Sequence, residues 1–243
     1  MQVFNLSDTI KEAFSQTNVF HTKDIMTILT GLYPELSEKT IAWKINQLKN
    51  EKTIFQVGRG LYSLVFMPEF EPSLSLKSKR FCNKIDKKVY PELIIWDTSV
   101  LDNLLQRTSE KSWIFILAPK TDLENLFSDL QHFSKPIFLN PDREITARYV
   151  LPQPEAVILL PSISQMPTTT QNDFIMPTIE AILVNIWLDF EQYFQPLGYE
   201  LSTIFETSFK NYNINRSKLL RYAARRDKRE AIEEFINNLN SHD

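Results

Sequence analysis

Apolar side chains in the first fifty residues recur at three- and four-residue intervals, the spacing that gathers them on one stripe of an α-helix. Ile10 and Phe14 set this period over residues 7–16, with Ser7 placed to cap the first turn. Ile25, Ile28, Leu29 and Leu32 repeat it over 23–32, behind Thr22 as cap and ahead of Pro34, which ends the helix. Ile41, Ile45 and Leu48 carry a third helix from Ser37 to about Asn50. The period then shortens. Thr53-Ile-Phe-Gln-Val-Gly-Arg-Gly-Leu-Tyr-Ser-Leu64 is two β-prone runs joined across Gly58-Arg59-Gly60, whose glycines permit the positive φ of a tight hairpin. Three helices and a hairpin in this order predict a winged helix-turn-helix.

Residues 66–80 hold Pro68 and Pro72 and no sustained period, so they are expected to cross between domains. Val89–Trp96, Trp113–Ala118, Pro136–Leu139, Ile145–Leu151 and Ala156–Leu160 are short apolar runs of strand length. Helical stretches at 99–107 and 122–133 fall between them, and from Thr178 the pattern is helical: 178–190, 201–212, and 217–239 in one or two pieces. Strands alternating with helices favour a sheet domain. The expected fold class is α+β or α/β: a winged helix-turn-helix over residues 1–66, then a mixed α/β domain over 67–243 ending in a helical segment.

Composition narrows the function classes. A chain of 243 residues, 43% hydrophobic and 23% charged, has ample material for a packed core. Seventeen Phe against four Gly argue against disorder and against Gly-rich nucleotide-binding loops. No apolar run approaches the roughly 18 residues of a membrane span. Met1–Asp8 shows no basic stretch ahead of an apolar one, and the single cysteine, Cys82, precludes an internal disulfide framework. A cytoplasmic location is expected. The net charge of −3 is unevenly spread. Residues 1–65 carry seven basic and six acidic side chains, whereas Lys210–Arg229 holds eight basic residues and one acid, Asp227.

In a helix-turn-helix the second helix of the pair enters the major groove. With Ile41, Ile45 and Leu48 turned inward, the helix after Ser37 presents Lys39, Thr40, Trp43, Lys44 and Gln47 on its other side. Lysines at 39 and 44 suit phosphates, and Thr40 and Gln47 suit base edges. Arg59 at the hairpin tip suits the backbone or the adjacent minor groove. Trp43 has two readings, a packing residue against the hairpin or the next domain, which is the commoner habit of large aromatics, and a DNA contact. Lys49 and Lys52 read as solvated.

The C-terminal segment Ser217–Ile236 reads as an amphipathic helix with Leu219 or Leu220, Ala223, Ile232, Phe235 and Ile236 inward. Arg221, Arg225, Lys228 and Arg229 would gather on one side of a continuous helix, with Arg226 beside them and Arg216 and Lys218 just before. Such a stripe can neutralise phosphates, giving a second nucleic-acid or antitoxin surface. The alternative is an ordinary solvated face whose arginines pair with Glu230, Glu233 and Glu234 one turn away.

The pattern Ser37-x-x-Thr-Ile-x-Trp-x-x-x-x-Leu48 followed by Val57-Gly-Arg-Gly-Leu-Tyr62 resembles the winged helix of AbiEi-type antitoxins of type IV toxin–antitoxin systems. Pro177-Thr-Ile-Glu-Ala-Ile-Leu-Val184 and Tyr212-x-Ile-Asn-x-Ser-x-Leu-Leu-Arg-Tyr-Ala-x-Arg-Arg226 resemble the same group, and the middle region matches in pattern. The resemblance implies a bacterial transcriptional autorepressor that binds double-stranded DNA of its own promoter. It also implies a protein that counteracts a co-encoded nucleotidyltransferase-type toxin without forming a stable complex with it.

The residues offer little to catalysis. His21, His132 and His242 are far apart, no zinc-ligand spacing occurs, and neither G-x-S-x-G nor G-x-x-x-x-G-K-[ST] is present. Asp86-Lys87-Lys88 and Pro141-Asp142 lack the acid, acid and lysine grouping of a metal-dependent nuclease, the weakest of the readings considered. Glu180 falls near a helix start, where a carboxylate opposes the positive end of the dipole. A non-enzymatic regulator with no cofactor or metal is expected, and a protein-interaction adaptor that docks through the winged helix is the alternative from another class.

Overall fold

The computed structural model describes residues 5–17 and 19–239. His242 and the first four residues of the stretch read for a signal sequence lie outside the described residues. The chain divides into two units, one of residues up to Glu69 together with Asn211–Asn215, the other of Phe70–Lys210 and the chain from Arg216 onward. The first unit thus runs past the expected boundary at residue 66 and takes in a segment from far along the chain. The backbone N–H of Asn213 donates to the Pro68 carbonyl at 2.9 Å and ties that segment in place.

The first unit runs α1 (Leu6–Ala13), β1 (Phe20–His21), α2 (Thr22–Leu32), α3 (Glu38–Asn50), β2 (Phe55–Gly58) and β3 (Leu61–Ser63), with an antiparallel sheet in the order β1-β3-β2. Ile10, Phe20, Ile25, Leu29, Ile41, Ile45, Leu48, Ile54 and Tyr62 form one core, so the three helical stripes read from the sequence all turn inward. Phe14 stacks on Phe20 with centroids 3.9 Å apart. Two caps differ from expectation. Asn5, not Ser7, caps α1 by accepting from the Ser7 N–H at 3.2 Å, and the Ser7 hydroxyl turns to Glu51. His21, not Thr22, stands at the cap of α2, and Asp24 reaches back to the His21 N–H at 2.7 Å. Thr22 instead donates through both its N–H and its hydroxyl to the Gly60 carbonyl, at 2.9 and 3.2 Å. Ser37 caps α3 as expected, accepting from the Thr40 N–H at 3.3 Å.

The second unit runs α4 (Leu76–Cys82), β4 (Ile94–Asp97), α5 (Ser99–Leu105), β5 (Ser112–Ala118), α6 (Leu123–Leu130), β6 (Ile137–Leu139) and α7 (Arg143–Ile145). A π-helical turn, Thr146–Val150, continues α7. Then follow β7 (Glu155–Pro161), β8 (Thr168–Gln171), β9 (Phe174–Pro177), α8 (Ile179–Asp189), a second π-helical turn (Phe190–Phe194), α9 (Leu201–Asn211), α10 (Arg216–Arg225) and α11 (Arg229–Leu239). The six-stranded mixed sheet has the order β6-β7-β5-β4-β9-β8. Strands β6, β7 and β5 are mutually parallel, β4 is antiparallel to β5, and β9 is parallel to β4. Among the described residues no helix is long and apolar enough to cross a membrane.

Strand β5 has neighbours on both edges and is buried on both faces, which is why Trp113–Ala118 reads as an unbroken apolar run. Ile114, Ile116 and Ala118 face Leu123, Leu126 and Leu130 of α6 and Phe81 and Cys82 of α4. On the alternate positions, Phe115 stacks on Trp96 at 4.6 Å and meets Tyr193 and Phe194 of the second π-helical turn.

Several expected elements are corrected. Residues 145–151 are helical rather than a strand, because the Asp142 carboxylate accepts from the Ile145 N–H at 2.8 Å and starts a turn there. Of the run 89–96 only the end from Ile94 is strand, since the Val89 and Tyr90 N–H groups bond back to the Asp86 carbonyl. The segment 66–80 contains the start of α4, capped by Ser75, and the hairpin β8–β9 was not anticipated; it turns at Asn172 and Asp173, both at positive φ. The C-terminal segment, expected in one or two helical pieces, is in two, broken at Asp227 with φ 53°.

This packing makes two predictions. At the β2–β3 turn only Gly60 takes positive φ (71°), and a Cβ there would lie 3.2 Å from the Thr22 hydroxyl oxygen. Gly60→Ala is expected to destabilise the protein by roughly 1–2 kcal/mol in chemical unfolding, whereas Gly58→Ala has no positive-φ penalty. At the start of β7, hydrogen bonds from Lys135 and then Lys77 hold the Glu155 carboxyl at about 2, below the usual range. A depressed acid stabilises the fold above its unfolded pKa and loses that contribution as pH falls through its folded one. The stability deficit of Glu155→Gln, read from urea midpoints, is therefore expected to be full near pH 7 and to shrink between about pH 4.5 and 2.

Candidate functional site

The outward face of α3 follows from the inward placement of Ile41, Ile45 and Leu48: positions 39, 40, 43, 44 and 47 lie three and four apart on the other side. Lys39 is exposed. Trp43 is 62% exposed, so it is not part of the core of its own unit. Lys44 is half-buried, its ammonium 4.7 Å from the centroid of the Tyr33 ring, which fixes the charge beside the α2–α3 turn. The Thr40 hydroxyl lies 3.0 Å from the Ser37 hydroxyl, inside the helix cap, and the Gln47 amide donates to Glu51 at 2.7 Å. Arg59 is exposed between β2 and β3. Lys49, read as solvated, donates to Gln56 at 2.9 Å. Lys39, Trp43, Lys44 and Gln47 thus line one helix face, and Arg59 stands on the hairpin of the same unit.

The basic C-terminal residues are less of a stripe than their spacing suggests. The break at Asp227 separates Arg221 and Arg225 on α10 from Arg229 on α11, so they share no continuous helix face. Most also have partners in the chain. Arg216 donates to Asn237, Lys218 pairs with Glu180 at 3.3 Å, and Arg225 donates to Gln165 at 2.9 Å. Arg229 lies 3.8 Å from Glu233, one of the acids expected to answer it. Arg226 bonds the Tyr222 hydroxyl. Arg221 and Lys228 are exposed.

Glu180 occupies the first turn of α8 at 4% exposure, accepting from the Thr178 hydroxyl as well as from Lys218. This fits the structural role expected of it. Asp142 is a helix cap, and Asp86 accepts from the Lys88 N–H. Among the described residues no group of three or more His, Cys, Asp or Glu side chains is placed to hold a metal ion.

A cleft that sequence reasoning missed opens in the second unit, lined by Trp96, Phe115 and Leu117 of the sheet, Asn185 and Asp189 of α8, and Arg226. Burial pushes the Asp189 carboxyl up to about 6, partly offset by the Arg226 charge. The signal was available: Asn185 and Asp189 are polar residues in the otherwise apolar run Ile182–Asp189 of a helix buried all round.

No curated protein matches this chain in sequence. A family model does match it from within α3 to the end of α11, over residues 40–242, and that model is described as a family of unknown function (DUF6577), to which the chain belongs.

Proposed function

We propose that the first unit is a winged helix-turn-helix that binds double-stranded DNA, with α3 in the major groove and the β2–β3 hairpin as its wing. The observation that carries this reading is the outward face of α3, where a tryptophan 62% exposed stands between two lysines. The order α1-β1-α2-α3-β2-β3, with β1 closing the sheet against β3, is the arrangement such a module needs to hold α3 rigidly. Lys39 and Lys44 then meet phosphates, Trp43 and Gln47 face the groove, and Arg59 reaches the backbone beside it.

The resemblance to AbiEi-type antitoxins supports the wider reading: a cytoplasmic autorepressor of its own promoter that also counteracts a nucleotidyltransferase-type toxin through the second unit without a stable complex. Within the basic C-terminal segment, Arg221 and Lys228 are the cations we assign to that second surface, since the others are engaged nearby.

The adaptor reading is favoured by one observation, the near balance of seven basic and six acidic residues over 1–65, which is low for a DNA-binding module. A band-shift titration separates the two. DNA from immediately upstream of the gene, a scrambled competitor and a salt series are compared for the wild type and the triple variant Lys39→Gln, Lys44→Gln, Arg59→Gln. The DNA reading expects specific binding that weakens with salt. It also expects a triple variant that keeps the wild-type unfolding curve while its salt slope falls by about 0.9 for each phosphate it no longer neutralises. Equal affinity for scrambled DNA, or an unchanged slope in the folded variant, leaves the α3 face as a protein-docking surface.

A further inference from the structure

We propose that the cleft in the second unit is a binding site for a small planar heterocycle with a carbonyl beside a ring N–H, the lactam edge that guanine, hypoxanthine and uracil share. Nothing in the DNA-binding reading bears on it, and it stands whether or not the first unit binds DNA.

The cleft lies where the fold favours ligands. Leu117 stands near the end of β5, Leu160 and Pro161 close β7, and Asn140 directly follows β6, so three parallel strands present their carboxyl ends to it. In open α/β sheets ligands bind outside these ends. The Asn140 N–H donates to the Leu159 carbonyl at 2.8 Å, the last bond between β6 and β7, and a positive φ of 41° marks the turn directly after the strand.

The strongest pointer is Asn185. It is 6% exposed and lines the cleft, and its carboxamide oxygen accepts from the Tyr222 hydroxyl at 3.0 Å. Its Nδ2 is buried and has no hydrogen-bond partner among the described residues. Leaving such a donor unmade costs about 1–3 kcal/mol. The helix that carries it is otherwise tightly packed, with Ile182, Leu183, Val184 and Ile186 all at 0% exposure. A ligand acceptor at Asn185 completes the pairing.

The remaining lining sets the class. Arg226 can only donate, Asp189 brings a carboxyl group, and Asn185 has only a donor left. An anionic ring would bring its charge to Asp189, and an amine would bring its charge to Arg226. A neutral ring with a C=O for Asn185 and Arg226 and an adjacent N–H for Asp189 meets all three. The apolar part of the lining includes the rings of Trp96, Phe115 and Phe194. The cleft holds about 130 Å³, close to the ~150 Å³ that accommodates a single benzene ring. That is room for one six-membered ring bearing the lactam edge, so a purine's second ring and any attached sugar must extend outward through the cleft mouth.

Isothermal titration of the full chain tests this with guanosine, inosine and uridine against adenosine and cytidine, whose edges lack the N–H beside a carbonyl, and with benzoate as an anionic ring. Guanosine monophosphate and a short single-stranded oligonucleotide distinguish a free nucleoside from a base presented by a strand. The lactam nucleosides are expected to bind at least tenfold more tightly than adenosine, cytidine and benzoate. Asn185→Leu and Arg226→Met are each expected to lower that affinity at least tenfold. No binding of any lactam nucleoside at millimolar concentration, or equal binding of adenosine or benzoate, overturns the proposal on the wild type alone, whatever the variants do. Variants that keep the wild-type unfolding curve and the wild-type affinity overturn the assignment of these residues.

Discussion

The second unit depends on the burial of β5 from both sides. Trp113–Ala118 are at most 3% exposed, so each backbone group must find its partner within the sheet. The antiparallel pairing to β4 and the parallel pairing to β7 supply those partners. Full burial of a large apolar side chain contributes about 1.5–3 kcal/mol relative to exposure, and β5 offers such side chains alternately to two faces. The two faces are covered differently. Leu123, Leu126 and Leu130 of α6 fill one with flexible aliphatic chains, whereas Trp96, Phe115, Tyr193 and Phe194 stack on the other as flat rings. It is on the ring-covered face, at the strand ends, that the cleft is found.

What the sequence made legible was whatever rests on local period. The stripes Ile10–Phe14, Ile25–Leu29 and Ile41–Leu48, and the runs 113–118 and 156–160, each follow from side-chain spacing alone, and the structure buries their apolar positions up to Leu159. What it hid rests on hydrogen bonds made by single polar side chains. Ile145–Leu151 has the composition of a strand, but Asp142 caps a helix at its start. Asn5 and His21 displace the more familiar serine and threonine as caps because Ser7 and Thr22 are needed elsewhere, by Glu51 and by the Gly60 carbonyl. The β8–β9 hairpin turns on Asn172-Asp173 without a glycine, so the usual mark of a tight turn was missing.

The candidate sites divide in the same way. The α3 face was readable because exposure on a helix follows from period, although the exposure of Trp43 needed the structure. The basic segment Lys210–Arg229 was misleading because net charge along the chain says nothing of partners across it. Glu180, Gln165 and Asn237 are distant in sequence from the cations they meet. Each such pair is worth little where exposed, and the Arg229–Glu233 contact at 3.8 Å belongs to that class. Together they still convert much of an apparent field of positive charge into local structure.

Helix α8 carries two polar groups that began on equal terms, and the comparison between them locates the cleft's chemistry. Glu180 and Asn185 are both nearly buried in the same apolar helix, at 4% and 6% exposure. Glu180 is answered by the Thr178 hydroxyl and by Lys218, so its burial needs nothing further. Asn185 is answered on one atom only, by Tyr222, and the atom left over is a buried donor in a residue that lines the cleft. A leucine in its place would bury without an unmet donor of its own, at the cost of the acceptor that the Tyr222 hydroxyl now uses. The same helix places Asp189 one turn on from Asn185, in an environment that raises its pKa to about 6, with Arg226 across from it. It is this grouping, an unmet donor with a carboxyl and a guanidinium around one cleft, that sets Asn185 apart from Glu180 and makes a ligand the natural partner for it.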